Sequence, residues 1–365
     1  MTKALVVFSG GLDSILAVKI LEEQGIEVTG LSFNSYFFDT EESKKTAEQL
    51  GIDLIIKDIS EKQLDTVKNP QHGHGSALNP CIDCHGLMFK VAGELAELVG
   101  KGKKFDFIAT GEVLGQRPFS QNSEALKKVE KLAGVEILRP LSAKLLPKTN
   151  YEEEGLVNRS KLLDISGKSR KRQLELVKKY GVKYFPSPAG GCRLTENEFG
   201  AKVKQLLEND GQNRELDKVD FELLRIGRHH WLNNEQQATS NEQQNNRQGK
   251  ASKAGSLECA KQAKGQAFSE RDKKDKYQIK THIILGKNHE ENEQLKKSAK
   301  KADILIELAS LMGPMTLIMN GANLNKEVQE QAISETKKLI LARAKNPDKK
   351  GIEEVEWAVS LKSKV

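Results

Sequence analysis

Short apolar runs alternate with amphipathic stretches through the first half of the chain. Ala4 to Phe8 reads as a buried strand, Leu12 to Gln24 places its apolar residues at helical spacing, Val28 to Phe33 is a second strand, and Thr40 to Leu50 a second helix. Leu54 to Ile59 continues the series as a strand, Pro80 to Val99 reads as a helix, and Phe105 to Ala109 and Val135 to Leu138 as strands, the last stopped at Arg139-Pro140. Strands that alternate with helices in this way build a parallel sheet with helices packed on it. Ser169 is placed to cap a basic helix that runs to Tyr180 and closes at Gly181.

The pattern changes beyond Asn233. Of the 44 residues from Asn233 to Lys276, 12 are Asn or Gln, and the only large apolar side chains are Leu257 and Phe268. Such a composition buries too little apolar surface to offset the entropy of ordering, so 233–276 is expected to be a disordered insertion. Phe221 to Leu232 and Tyr277 to Leu285 flank it as strands, which suggests one hairpin with an expanded turn, because loop-closure entropy grows slowly with length. Glu290 to Ala302 and Lys326 to Ala344 read as helices, Ile304 to Glu307 and Met315 to Met319 as strands. The expected architecture is a parallel-sheet α/β domain over 1–217 and a smaller α+β domain over 218–365, interrupted at 233–276.

Composition narrows the class. Charged residues make up 30% of the chain and aromatics 5%, and Lys+Arg against Asp+Glu gives 58 − 51 = +7. The excess is concentrated between Asn158 and Tyr184, where nine basic residues face only Asp164 and Glu175. Local positive charge of this kind attracts a polyanion, most often nucleic acid, and Arg170, Lys171 and Arg172 are its densest run. No stretch approaches the ~18 consecutive apolar residues of a membrane helix, and the apolar start lacks a signal-peptide cleavage site. A cytoplasmic location without membrane association is expected, and oligomeric state is left open.

Candidate chemistry sits in two places. Ser9-Gly10-Gly11-Leu12-Asp13-Ser14 joins the first strand to the first helix. Its glycines let the backbone approach an oxyanion, the hydroxyls of Ser9 and Ser14 can donate, and the helix N-terminus carries partial positive charge. Asp13 suits a pyrophosphate only with Mg²⁺ between them.

The second place is the cysteines. Cys81 and Cys84 lie one turn apart in Pro80-Cys81-Ile82-Asp83-Cys84-His85, and Cys192 follows two glycines. Thiols at a helix N-terminus are expected to ionise more readily, which suits metal ligation or sulfur chemistry. Three thiolates admit a [4Fe–4S] cluster with one open iron, the reading favoured here, or zinc with a further ligand, or a persulfide relay. His85 is read as a polar helix residue, and Cys259 lies inside the polar insertion.

The SGGLDS string resembles the PP-loop of the N-type ATP pyrophosphatases. Ser32-Phe33-Asn34 and Thr110-Gly111 match the positions that line the nucleotide pocket in that family, so the resemblance implies Ser9, Gly10, Gly11, Asp13, Ser14, Phe33, Thr110 and Gly111 as ATP contacts. Thr110-Gly111-Glu112-Val113-Leu114-Gly115-Gln116 and Leu138-Arg139-Pro140-Leu141 are similar to the 4-thiouridine synthetases in particular, and less closely to the tRNA 2-thiouridylases. The likeness covers roughly residues 1 to 195.

What the family does then implies the chemistry. ATP adenylates a tRNA uridine carbonyl, pyrophosphate leaves, and sulfur displaces AMP. Asp13 would hold the metal-bound pyrophosphate, and Cys81, Cys84 and Cys192 would present sulfur received from sulfide or a cysteine desulfurase. The usual synthetases carry RNA-binding domains ahead of this loop, so RNA binding is expected instead on the basic helix and the C-terminal domain. There, Phe221 to His229 and Ile284 to Asn292 resemble an RNA-associated domain of ribosome quality-control proteins. A 2-thiouridylase, a PP-loop ligase or amidating enzyme for a small acid, and an RNA-binding factor with a vestigial nucleotide site are the alternatives.

Overall fold

Buried β-branched and aliphatic runs make the centre of the first sheet. A computed structural model describes residues 1–98, 105–187, 191–211, 214–233, 280–309, 313–343 and 356–361. It divides into two compact units, Met1–Gly200 and Ala201–Val365.

In the first unit, strands β1 (Lys3–Val7), β2 (Glu27–Asn34), β3 (Asp53–Asp58) and β4 (Phe107–Thr110) form a parallel sheet in the order β3-β2-β1-β4. Central β1 pairs on both sides, Val6 opposite Gly30 and Ala109, and its Ala4, Leu5 and Val6 are fully buried. Alternation along β1 sends Ala4, Val6 and Phe8 to one core with Ile15 and Leu16 of α1 (Leu12–Glu22). Leu5 goes to the other, with Leu31, Phe33 and with Phe89 and Ala92 of α4 (Cys81–Leu98). Each such side chain contributes ~1.5–3 kcal/mol by leaving water, which is why β1 has no polar position at its centre.

Around them lie α2 (Glu41–Leu50), α3 (Ser60–Lys68), α5 (Ser123–Ala133), the short α6 (Asn150–Glu153) and α7 (Lys171–Tyr180). The expected strand from Val135 to Leu138 is a single bridge, Leu138 with Ala109. Leu138 donates its N–H to the Ile108 carbonyl and accepts from the Thr110 amide, and Pro140, which has no N–H, stops the ladder two residues on. The N-cap of α7 is Arg170 rather than Ser169, while Gly181 closes the helix as expected.

The second unit begins within α8 (Asn197–Asn209) and continues with α9 (Lys218–Leu223). Its sheet, β5 (Arg228–Asn233), β6 (Lys280–Leu285), β7 (Ile304–Leu308), β8 (Thr316–Ile318) and β9 (Trp357–Leu361), is antiparallel in the order β5-β6-β8-β7-β9. Helices α10 (His289–Ser298) and α11 (Lys326–Leu341) complete it, with α11 burying Val328, Ala332 and Ile340. The fold is therefore a parallel-sheet α/β domain with an additional antiparallel α+β unit.

β5 and β6 pair antiparallel from Arg228 with Leu285 to Asn233 with Lys280, so the two strands flanking the long insertion are hairpin partners. Residues 234–279, which hold nearly all of the expected insertion and Cys259, lie outside the described residues. The strand expected from Phe221 is partly helix instead. Asp217 accepts from the Val219 and Asp220 amides, and Asp220 returns a bond from the Asp217 amide, a capping box that starts α9 and buries Phe221 and Leu223.

Candidate functional site

The phosphate loop follows β1 and ends at Gly11, the N-cap of α1. Gly11 has extended dihedrals and offers no side-chain cap, so the first-turn amides of α1 are left for another acceptor. Two glycines are fixed by close approach. A Cβ at Gly10, whose φ is +76°, would lie 2.6 Å from the Glu42 carbonyl oxygen. A Cβ at Gly111 would lie 2.5 Å from the Asp13 carbonyl carbon and from the Ser14 amide nitrogen. The turn after β4 is thus pressed against the phosphate loop, and Thr110-Gly111 and Ser9 to Ser14 form one structure.

Asp13 is held within it. Gln116 Nε2 donates to Asp13 Oδ2 at 2.8 Å, and the Arg170 guanidinium stands 3.8 Å from the same oxygen. Oδ1 is buried with no hydrogen-bond partner. A buried carboxylate oxygen left unpaired costs roughly 1–3 kcal/mol, more for a charge, and a divalent cation is the partner that repays it best. The residues present therefore fit MgATP at this loop: Asp13 for the cation, the uncapped α1 amides for phosphate. Ser14 Oγ donates to the Gly11 carbonyl at 2.8 Å, and the Gly11 amide reaches Ser9 Oγ at 3.4 Å. Both hydroxyls brace the loop here. Thr110 and Phe33 are buried; the Phe33 ring packs in the core, so what β2 presents at that point is backbone.

Cys81 and Cys84 sit in the first turn of α4. Asn79 Nδ2 donates to Cys81 Sγ at 3.1 Å and Gln63 Nε2 to Cys84 Sγ at 3.0 Å. All three cysteines are free thiols. Burial pushes Cys84 up to about 12, and Cys192 and Cys81 add to the shift. Burial likewise pushes Cys192 up to about 11, with Cys81 again contributing. The expectation of easily ionised thiols is overturned for Cys84, because loss of water outweighs the helix-end field.

The same electrostatics show that Cys192, from a separate segment, lies close enough to act on the pair. Among the described residues, however, no group of three or more His, Cys, Asp and Glu side chains is arranged to hold a metal ion. Among the described residues the thiols do not form a ready metal cage.

Between the loop and the cysteines runs a network that sequence reasoning missed. Glu112, 6% exposed, accepts from His85 Nδ1 at 2.7 Å and from Arg139 Nε at 3.1 Å, and Arg139 also pairs with Glu130. Burial alone would raise the Glu112 carboxyl, but the His85 hydrogen bond and the Arg139 charge hold it below its ordinary range. Because His85 is on α4 beside Cys84, and Glu112 follows Gly111, the network ties the cysteine helix to the nucleotide loop. A second tie is Asp83, which accepts from the Gln71 and His72 amides at 3.1 and 3.0 Å and fixes the segment leading into α4. The available signal was one charged residue inside each of two apolar strings, Ile108 to Leu114 and Ile137 to Leu141.

Of the basic run, only Arg170 reaches the phosphate loop. Arg172 is engaged by Asp164 Oδ1 at 2.7 Å.

A parallel sheet whose first strand feeds a glycine loop and an uncapped helix, with an unpaired carboxylate oxygen in that helix's first turn, makes this an α/β domain with a built anion-and-cation site at the end of its first strand. Residues 1–145 match the family model of the thiamine biosynthesis protein ThiI. The chain is 33% identical over 113 residues to a tRNA-specific 2-thiouridylase, MnmA 3, of Bacteroides fragilis, a match covering 30% of each protein. It is 25% identical over 251 residues to MnmA 1 of Clostridium botulinum, covering 62% of this chain and 65% of that relative. A 4-thiouridine synthetase solved with RNA and bound ATP aligns at 22% identity and a TM-score of 0.31, over 48% of this chain and 50% of that one. The chain thus spans less than two thirds of the length of these relatives. The likeness to PP-loop tRNA thiouridylases drawn from the motifs is found again in the family model and the curated relatives.

Proposed function

We propose that this protein is an ATP-dependent tRNA thiouridylase that makes 4-thiouridine. The observation that carries the reading is that one unit holds both the phosphate loop, with its unpaired Asp13 oxygen, and three free thiols, Cys81 and Cys192 being close enough to act on Cys84. The uridine carbonyl oxygen attacks the α-phosphorus of ATP and pyrophosphate departs. A sulfur nucleophile then adds to the activated ring carbon and AMP leaves with the former carbonyl oxygen.

Asp13 would hold Mg²⁺, which would neutralise charge on the departing pyrophosphate, and Gln116 holds the carboxylate in place. Arg170 balances charge on the leaving group, an effect that grows where water is excluded. Sulfur from a cysteine desulfurase would be carried as a persulfide on one of Cys81, Cys84 and Cys192: its outer sulfur adds to the activated carbon, and a second of these thiols attacks the carrier's own sulfur, freeing the thiocarbonyl and leaving a disulfide; sulfide, where it is the donor, adds to the carbon directly. Anaerobic purification with an absorption spectrum distinguishes a [4Fe–4S] cluster, zinc and a persulfide at these thiols. Lys171 and Arg172 add positive charge for tRNA. Action in the cytoplasm follows from the substrate, and among the described residues no helix is long and apolar enough to cross a membrane.

Mass spectrometry of tRNA nucleosides from cells with and without the protein tests the reading. Loss of 4-thiouridine is expected. Loss of 2-thiouridine alone would move the reaction to the other ring carbon, and unchanged thionucleosides would overturn the proposal.

A further inference from the structure

The loop from Gly115 to Asn122 connects both chemistries and carries an aromatic ring into solvent. Gln116 holds Asp13, and Arg117, the next residue, is close enough to act electrostatically on Cys192. Two residues on, Phe119 is 88% exposed. The loop that bears it is internally hydrogen-bonded. The Gly115 amide donates to the Gln121 carbonyl at 2.7 Å, the Gln121 amide to the Arg117 carbonyl at 2.8 Å, and the Arg117 amide to Gln121 Oε1 at 3.2 Å. Asn122, the N-cap of α5, donates to the Pro118 carbonyl at 2.7 Å, which anchors the tip to a helix. A loop bonded at so many points cannot fold its ring back into the core. The ring forgoes burial while Gln121 and Ser120 beside it are buried.

We propose that Phe119 is a stacking platform for an unpaired base of the substrate tRNA, next to the uridine being modified. The proposal rests on the tRNA-thiolation reading. An enzyme acting on a ring carbon must draw that base out of its stack, which leaves a neighbouring base without a partner. An exposed aromatic ring replaces the lost partner, works for any base because every base has a π-face, and is the recurrent device of single-strand recognition. The occupant is RNA rather than protein on grounds of charge: Arg117 adjoins the ring on the same loop. A phosphate flanking the stacked base meets that cation, whereas a purely apolar partner would leave it unmatched.

The test compares Phe119→Ala, Phe119→Leu, Phe119→Tyr and Phe119→Trp in the full chain, using an unmodified tRNA transcript and MgATP. Phe119→Ala and Phe119→Leu are expected to raise KM for tRNA about tenfold, with MgATP binding and thermal stability unchanged; stacking energies of this class set that size. Phe119→Tyr and Phe119→Trp are expected to restore it, and the new tryptophan to be quenched by tRNA beyond any quenching of the wild-type protein. Wild-type KM for Phe119→Leu would overturn the proposal, since an apolar side chain of similar size would then suffice. So would a variant whose oligomeric state changes while KM does not, which would assign the ring to contact between copies. If the wild-type protein itself neither binds nor thiolates the transcript, it is the tRNA reading that fails.

Discussion

Glu112→Gln tests whether the buried network ties the two halves of the site together. The substitution keeps shape and removes charge. Glu112 receives two bonds from groups able to carry positive charge, and Arg139, 3% exposed, would keep Glu130, whose side chain is 35% exposed, as its charged partner. Removing one partner of a buried pair costs about 3–5 kcal/mol, and the surviving Glu130 contact favours the lower end, ~3 kcal/mol. For a unit of this size that corresponds to a fall in Tm of roughly 6–12 °C. The pH dependence has a definite sign. The Glu112 carboxyl lies below its ordinary value of 4.5 in the folded protein, so its stabilisation is present above that pH and is lost as pH falls through the folded value. The gap between wild type and variant is therefore expected at pH 7 and should close in acid. Chemical denaturation followed by circular dichroism at pH 7 and near pH 4 measures both. A double cycle with Arg139→Met should give a coupling above about 0.5 kcal/mol. A variant within about 0.5 kcal/mol of wild type at pH 7, or a coupling near zero, would refute the reasoning.

Gly111→Ala should abolish MgATP binding while the protein stays folded, because a Cβ 2.5 Å from the Asp13 and Ser14 backbone must displace the phosphate loop; titration calorimetry with unaltered affinity would contradict this. In the second unit, burial holds His229 down to about 3, and its ring is bonded to His282 at 2.9 Å. Its contribution to stability is full above the ordinary value of 6.5 and declines as pH falls toward 3, while Asp210, raised to about 6 by burial, works in the opposite sense above 3.8. NMR should show the His229 ring neutral from pH 5 to 8, and a midpoint near 6.5 would remove the burial argument. Reversing Lys171 and Arg172 to glutamate should weaken tRNA binding and reduce its salt slope, without loss of MgATP binding; an unchanged slope would return α7 to a solvated face.

Much of this was legible in sequence because it depends on local pattern. β1, α1 and β2 were visible as apolar runs bounded by glycine, and the hairpin across the insertion followed from two strand-like segments with a polar gap between them. What local pattern could not supply was competition from elsewhere. Phe221 has strand propensity, but the Asp217–Asp220 capping box makes it helical. α3 was not foreseen, being rich in charge with few apolar positions; α5 was missed although Ala125, Leu126, Val129 and Ala133 fall at helical spacing; and β9 is a short strand defined by its pairing with β7 and by Trp357. At the site, Asp13 and the cysteines were found by their motifs. Glu112, His85 and Arg139 were not, because their roles arise from burial and from partners between 27 and 9 positions away. The cysteine acidity was misjudged for the same reason, since a helix end is local and desolvation is not.

The role proposed for this loop is to activate a tRNA uridine with release of pyrophosphate. The direct measurement is pyrophosphate and AMP formed from MgATP by purified protein, with and without unmodified tRNA, for wild type and Asp13→Ala. Pyrophosphate release that requires tRNA, yields AMP in step with thiolation when sulfide is supplied, and falls at least about a hundredfold in Asp13→Ala is expected, as for loss of a group that stabilises the leaving charge. Cleavage to ADP and phosphate, or release at the wild-type rate by Asp13→Ala, would contradict it.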